Sequence, residues 1–401
     1  MNLPKTWSLV ALGDIAAHEK GAIRRGPFGG SLKKEIFVES GFKVYEQQNA
    51  IKDDFQIGNY FIDEDKFREM EGFNVKPHDL IISCAGTIGK VAIVPYEALP
   101  GVINQALMRI RPNPEIILCR YLKWLLESPK YQRDIFGKSA GSALKNLAAI
   151  SEIKKCKIPL PPLEEQRRIA AILDKADGVR RKRKEAIRLT EELLRSTFLE
   201  MFGDPENSVY PVKTLNDVCS KITDGAHFTP TYTSTGVPFL RVTDIQNDFI
   251  DWENVKHIPI EEHKELIKRC HPKRGDILYS KNGTIGIPKI IDWDNDFSIF
   301  VSLALLSPKK EIILSDFLES FLRTPFALRQ ALSHTKTGTV SNLHLVEIRK
   351  VKLPVPDIHI QEQWILYKSE IHKMRNQLSG AFDESENLFN SLLQRAFRGE
   401  L

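Results

Sequence analysis

Between residues 163 and 202 the chain holds no proline and one glycine, and apolar side chains return at steps of seven: Ile172, Val179, Ala186 and Leu193. Ile169, Ala176 and Leu189 widen this stripe, while Arg, Lys and Glu fill many of the other positions. That period predicts one long amphipathic helix of coiled-coil type, with Ile172, Val179, Ala186 and Leu193 along its seam. Gly203 and Pro205 then supply a cap and a stop. The pattern returns less regularly from about Ile360 to Phe397, with Ile365, Ile371 or His372, Leu378, Ser385 and Leu392 at the seven-residue steps. About 35 helical residues at ~1.5 Å each span about 50 Å. Two such helices in one chain pack most simply as an antiparallel pair.

Elsewhere the apolar runs are short and broken by Gly, Pro, Asn and Asp, as in DLIIS (79–83), KVAIVP (90–95) and ALMRIRP (106–112), and again in DILYS (276–280), PKIID (288–292) and FVSLALLSP (300–308). Runs of this length with turn signals between them predict strands. Two helical patches lie among them, CRYLKWLLESPKYQRDIF (119–136) and SDFLESFLRTPFALRQAL (315–332). In each a proline, Pro129 or Pro325, is expected to end or kink the first helix.

These pieces occur twice in the same order. WSLVALGDI (7–15) matches YPVKTLNDV (210–218), and KPHDLIISCAGTIGKVAIV (76–94) matches PKRGDILYSKNGTIGIPKII (272–291). IKKCKIPLPPLEEQRRI (153–169) matches IRKVKLPVPDIHIQEQWIL (348–366). A period near 200 residues is far longer than a solenoid unit, so each copy is domain-sized. The expected fold is α+β: two tandem β-rich domains, at 1–157 and 204–353, separated by long helices at 158–203 and 354–401 that pack as an antiparallel coiled coil with pseudo-two-fold symmetry.

Composition narrows this little. The 57 basic and 52 acidic residues leave a net charge of +5, which permits a nucleic-acid partner without demanding one. Five scattered cysteines without a C-x-x-C pair fit a reducing cytoplasm and argue against a zinc ribbon. No apolar run is long enough for a bilayer, and the N-terminus carries no signal-peptide core, so no membrane partner is expected. The ten histidines show no ligand spacing, and no metal site is expected.

GTIGK (86–90) raises the question of a phosphate loop. Such a loop needs G-x-x-x-x-G-K-[ST], but Cys84 stands where the first glycine belongs, Val91 follows the lysine, and the second copy replaces the lysine by Ile287. A tight turn between two strands is the expected reading. N-P-P-Y, D-P-P-Y and a strand-linked G-x-G-x-x-G are all absent, which speaks against a self-contained amino-methyltransferase.

Were the partner DNA, the candidate contacts would be the polar and basic residues beside the predicted strands. Gln and Asn can pair with adenine edges, Arg and Lys with guanine, and small polar residues with phosphate. In the first copy these are Arg24, Arg25, Lys33 and Lys34 around GPFGG, then Gln47, Gln48 and Asn49, then Ser83, Thr87 and Lys90, then Asn104 and Gln105, and Lys138 and Lys145 in GKSAGSALKN. In the second they are His227, Thr229 and Tyr232, Arg241 and Thr243, Lys281, Asn282 and Thr284, and Lys336 and Asn342 in HTKTGTVSN. Against each stands the plainer reading of a capped turn or solvated loop. RRKRK (180–184) points all round a helix and reads first as a solvated face, with contact to DNA or an acidic surface as the alternative.

IPLPPLEEQRRIAAILDKAD (158–177), together with KVYEQQNAI (43–51), GVINQALMRIRP (101–112) and DGAHFTPTY (224–232), resembles the specificity (S) subunit of Type I restriction–modification systems over essentially the whole chain. The resemblance implies that each β-rich domain is a target-recognition domain reading one half of a split sequence in double-stranded DNA. It implies that the helices fix the unread gap and dock two modification (M) subunits, here through Leu163, Gln166, Ile169 and Gln363. Restriction (R) subunits join through that complex. The S chain itself is then not an enzyme and holds no cofactor. S-adenosylmethionine would sit in the M subunits, ATP and Mg in the R subunits, the complex being a cytoplasmic adenine methyltransferase and ATP-dependent endonuclease. The second copy departs from the pattern, with PVPDIHIQEQ in place of PLPPLEEQ, so docking is expected to differ between the two sides or that helix to have diverged. Two rivals stay open: a protein-interaction scaffold built on the coiled coil, and a fused nuclease or methyltransferase.

Overall fold

The computed structural model describes residues 3–28, 30–136, 149–203, 205–247, 249–333 and 342–401. Two compact units emerge: Met1–Arg183 with Ala381–Leu401, and Lys184–Gly380. In unit 1 the strands are β1 (Ser8–Ala11), β2 (Ile23–Arg25), β3 (Phe42–Tyr45), β4 (Phe61–Ile62), β5 (Leu80–Ser83), β6 (Val91–Ile93), β7 (Gly101–Ile103), β8 (Leu107–Ile110) and β9 (Lys157–Leu160). Its short helices are α1 (Gln47–Lys52), α2 (Glu64–Glu69), α3 (Cys119–Glu127), α4 (Pro129–Tyr131) and α5 (Ile150–Lys155), before the long α6 (Leu163–Phe202). Unit 2 follows with β10 (Val212–Thr214), α7 (Leu215–Val218), β11 (Cys219–Asp224), β12 (Val237–Leu240), β13 (Lys256–Ile258), α8 (Ile260–Arg269), β14 (Ile277–Ser280), β15 (Pro288–Ile290), β16 (Ser298–Ile299), β17 (Leu303–Pro308), α9 (Ser315–Leu322), α10 (Pro325–Ser333), α11 (Leu345–Lys350), β18 (Lys352–Pro354) and the long α12 (Ile358–Ala396).

The two units repeat one topology. Unit 1 has sheets ordered β2-β8-β5-β6, β4-β3-β7 and β1-β9; unit 2 has β11-β17-β14-β15, β13-β12-β16 and β10-β18. In each three-stranded sheet one pair is parallel, β3 with β7 and β12 with β16. The central strands β5 and β14 are apolar up to their closing serines because they are covered on both faces. Leu80 and Ile82 pack towards the helices, with Tyr121, Leu125, Ile169 and Leu173, while Ile81 packs towards the three-stranded sheet with Tyr45 and Ile103. Ile277 and Tyr279 face Phe317 and Trp364, while Leu278 faces Leu240 and Ile299. The prolines end their helices as expected, with Pro129 and Pro325 each opening a new one.

Within each unit the long helices run antiparallel. In unit 1 Arg180 pairs with Glu386 at 3.0 Å and Arg168 donates to the Leu401 carbonyl at 2.8 Å. In unit 2 Arg375 pairs with Glu191 at 3.5 Å, and the hydroxyls of Thr197 and Tyr367 lie 3.4 Å apart. Aromatic contacts fasten this pair to a short helix in each unit. Trp124 of α3 meets Phe389 edge-on at 5.4 Å in unit 1, and Phe317 of α9 meets Phe198 at 5.3 Å in unit 2.

The seam differs from the expected one by a residue. Buried positions on α6 are Gln166, Ile169, Ala170, Leu173, Asp177, Thr190, Phe198 and Phe202. Val179 and Leu193 are instead 42% exposed, while Ile172 and Ala186 are only half-buried. One residue is about 100° of helix rotation. The seam contains polar side chains, so a search for apolar steps selected the neighbouring row. On α12 the buried row is Gln361, Trp364, Lys368, Ile371, Ser385, Phe389, Leu393 and Ala396, with Ile365, Leu378 and Leu392 half-buried beside it. RRKRK is likewise not a wholly solvated face. Arg180 lies over the Phe389 ring at 4.4 Å, and Arg183 donates to the Ala381 carbonyl.

Candidate nucleic-acid interface

In unit 1 the C-terminal ends of β2, β3, β5 and β7 and the start of β8 meet at one end of the sheets. Three backbone bonds tie them together: Gly26 N–H to the Leu107 carbonyl at 2.8 Å, Cys84 N–H to Ala106 at 2.8 Å, and Asn104 N–H to Tyr45 at 2.9 Å. Unit 2 repeats the knot. Gly225 N–H reaches the Leu303 carbonyl at 3.4 Å, Lys281 N–H reaches Ser302 at 2.9 Å, and Phe300 N–H reaches Leu240 at 2.9 Å. The candidates after β2, β3, β5 and β7, and their counterparts after β11, β12 and β14, thus share one end of their unit. Lys138, Lys145 and Lys336 lie outside the described residues.

The GTIG segments are the β5–β6 and β14–β15 hairpin loops. Each is stapled by its serine. Ser83 Oγ donates to the Thr87 carbonyl at 2.6 Å and accepts from Lys90 N–H at 3.0 Å; Ser280 Oγ accepts from Ile287 N–H at 2.8 Å. Gly86 and Gly283 hold φ of 58° and 73°, which favours glycine.

Several candidates are occupied in holding these loops. Ser83 is completely buried. Asn49 is buried too: it accepts from Glu46 N–H at 2.8 Å and donates to the Asp54 and Ile57 carbonyls at 2.9 and 3.0 Å, capping α1. Asn104 accepts from Ala106 N–H at 3.0 Å to close the β7–β8 turn. Arg24 turns to the Gly72 carbonyl at 3.2 Å and lies 4.0 Å over the Phe73 ring. Lys281 is buried against Asp224 at 3.2 Å. Burial pushes the Asp224 carboxyl up, but His227 and Lys281 outweigh it and hold it below its ordinary value. Arg269 also reaches Asp224, and His227 Nε2 lies 3.0 Å from it. Arg241 binds Asp244 through Nε and a terminal nitrogen, both at 3.1 Å.

What faces solvent is a shorter set: Lys33, Lys34, Thr87, Lys90 and Gln105 in unit 1, and Thr229, Tyr232, Thr243 and Thr284 in unit 2, with His227 exposed although paired. Arg25, Gln47 and Gln48 are half-buried at the same end, and Gln47 Oε1 is buried with no hydrogen-bond partner among the described residues. Asn282 and Asn342 bridge through their backbones, and each Oδ1 is buried without a partner among the described residues. Sequence reasoning passed over Phe28 and Phe228, which protrude from matched loops here. Their signal was position: each follows a glycine directly after a matched strand.

The docking candidates Gln166 and Ile169 are likewise held within their own unit. Gln166 is completely buried, accepting from Leu118 N–H at 2.8 Å and donating to the Ile116 and Pro161 carbonyls at 3.0 and 2.9 Å. Its counterpart is Gln361, not Gln363. Gln361 accepts from Leu314 N–H at 2.8 Å and donates to Ile312 and Pro356 at 3.0 and 2.8 Å, while Gln363 is exposed. Ile169 is also completely buried, and Leu163 half-buried. The motif therefore fastens each long helix to its own unit, because its glutamine saturates backbone groups at the start of α3 or α9.

Among the described residues no helix is long and apolar enough to cross a membrane. A family model, the Type I restriction modification DNA specificity domain, matches residues 4–189 and 207–367. The specificity subunit of the Type I restriction enzyme EcoBI of Escherichia coli is 25% identical over 82% of this chain and 75% of its own length. That of EcoKI, from E. coli strain K12, is 23% identical over 90% and 85%. A chain from a solved assembly of the type I R-M system superposes with a TM-score of 0.64 at 20% identity, covering 100% of both chains. The Type I S subunit from M. genitalium gives 0.50 at 14% identity over 99% and 96%. With both halves matched by the family model, the chain belongs to the Type I restriction modification DNA specificity family.

Proposed function

We propose that this chain is the DNA sequence-specificity subunit of a Type I restriction–modification complex, with each unit reading one half of a bipartite duplex target and the long helices setting the gap. The observation that carries this is the repeated knot of strand ends. Two units of the same topology present polar and basic loops from the same strand termini, as two related half-sites require. Phosphate contacts from Lys33, Lys34 and Lys90 would place unit 1, and base edges would be read by Gln47, Gln48 and Gln105. Thr229, Tyr232, Thr243 and Thr284 would serve unit 2.

The exposed apolar side chains of the helices offer the docking surface for two modification subunits: Val179 and Leu388 in unit 1, and Leu189, Leu193, Leu366 and Met374 in unit 2. S-adenosylmethionine would then belong to those subunits, and ATP and Mg to restriction subunits recruited through them. This chain contributes recognition and no catalytic step. Duplex binding across a salt series tests the reading. A specificity subunit binds with an affinity that falls steeply as salt rises, whereas a coiled-coil scaffold binds no duplex at any salt.

A further inference from the structure

Phe28 is 86% exposed and Phe228 56% exposed, and neither joins any hydrophobic cluster among the described residues. Their loops correspond, with Phe28 two residues past Gly26 and Phe228 three past Gly225. Each follows the strand that opens its four-stranded sheet, β2 or β11, just past a glycine. Those glycines are where the two strand-end knots are tightest. A side chain on Gly26 would collide with the Asn104 carbonyl, and one on Gly225 with the Ile299 carbonyl. The backbone is therefore pinned at one point in each unit, and the following residues carry a benzyl ring away from it. Ser31 Oγ donates to the Phe28 carbonyl at 3.2 Å. Thr229 and Tyr232 follow the second, with Lys256 Nζ 5.8 Å from the Tyr232 ring centre.

We propose that Phe28 and Phe228 are matched aromatic base contacts, each pressing its ring against bases of its own half-site; this rests on the DNA-reading function proposed above. The chemistry around them favours nucleic acid over a protein groove. Exposed Lys33 and Lys34 share the loop of Phe28, and Arg25, Gln47, Gln48 and Gln105 lie at the same end of unit 1. An apolar ring framed by cations and amides matches a surface in which phosphates surround stacked bases. Rings in corresponding loops of a duplicated topology also match a target with two halves, as a single protein partner does not. Stacking or apolar base contact contributes to sequence preference, while the lysines bind any duplex.

The test uses the full chain co-expressed with its modification subunits, with methylated sites mapped across the host genome for the wild type, F28A, F228A, F28W and F228W. F28A should relax or abolish one half of the motif and leave the other, F228A the reverse, and the tryptophan variants should retain both. On a synthetic duplex carrying the mapped wild-type motif, each alanine variant should bind about 5- to 150-fold more weakly, the range expected for one aromatic–base contact. Binding to an unrelated duplex should stay within about twofold. Unchanged motifs and affinities would overturn the proposal, as would equal loss on both duplexes. Loss of co-purifying modification subunits would also overturn it, since the rings would then face a protein. If the wild type yields no two-part motif, the proposed function itself fails, an outcome separate from a wild type that reads two halves without its phenylalanines.

Discussion

Replacing Gln166 by leucine should destabilise unit 1 by about 3–5 kcal/mol. The side chain is completely buried, and leucine fills a similar volume, so cavity formation contributes little. The loss lies in three backbone groups. Leu118 N–H and the carbonyls of Ile116 and Pro161, held at 2.8, 3.0 and 2.9 Å, are left without their amide partner. A buried group stripped of its partner costs about 1–3 kcal/mol, and carbonyls, with two lone pairs, fall towards the low end. For a unit of about 200 residues, 1 kcal/mol shifts Tm by about 2–4 °C, so the transition should fall by about 6–20 °C. Calorimetry on the purified chain reads this directly. Q361L should do the same to unit 2, whereas Q363L, on an exposed side chain, should stay within about 0.5 kcal/mol. A Q166L transition at the wild-type temperature, or a Q363L cost equal to that of Q361L, would refute the reasoning.

Other consequences follow from the same geometry. Lys368 Nζ lies 2.9 Å from buried Glu319, so K368M should cost unit 2 about 3–5 kcal/mol near neutral pH. Burial pushes the Glu319 carboxyl up, but Lys368 and Arg323 outweigh it and hold it below its ordinary value. A carboxylate with a depressed folded pKa stabilises above its unfolded value of about 4.3 and loses that stabilisation as pH falls through the folded one. The gap in urea midpoint between wild type and K368M should therefore narrow as pH drops below about 4. K33A and K34A should weaken binding to all duplexes alike in fluorescence anisotropy, each flattening the logarithmic salt dependence by about 1 per lost phosphate contact. L366E and L388E should release modification subunits in co-purification while moving stability by no more than about 0.5 kcal/mol, because both side chains are exposed.

The duplication was legible because it repeats whole elements: DLIIS and DILYS are both central strands, and Pro129 and Pro325 both restart a helix. The long helices, Leu163–Phe202 and Ile358–Ala396, lie inside the expected segments 158–203 and 354–401, up to five residues short of their limits. Their seam was not legible, since Asp177, Thr190, Lys368 and Ser385 occupy buried positions that apolar counting skips. The glutamine register failed for a related reason. IHIQEQ offers two glutamines, and only the hydrogen bonds to Leu314, Ile312 and Pro356 distinguish Gln361 from Gln363. At the candidate interface the loops named from the sequence gather at one end of each unit, but Asn49, Ser83, Asn104 and Lys281 carry the same polar groups whether they meet DNA or hold a turn. The choice depends on burial, which arises from contacts distant in sequence.

The most direct test of two readers joined by a helical gap is to map methylated adenines in a host carrying this chain with its modification subunits, beside a variant lacking one heptad from both α6 and α12. The account predicts a motif of two short blocks around a fixed gap. In the variant both blocks should persist, with the gap shortened by about 3 base pairs, because seven residues at ~1.5 Å remove about 10 Å of helix. A single continuous motif, or an unchanged gap after the deletion, would contradict it.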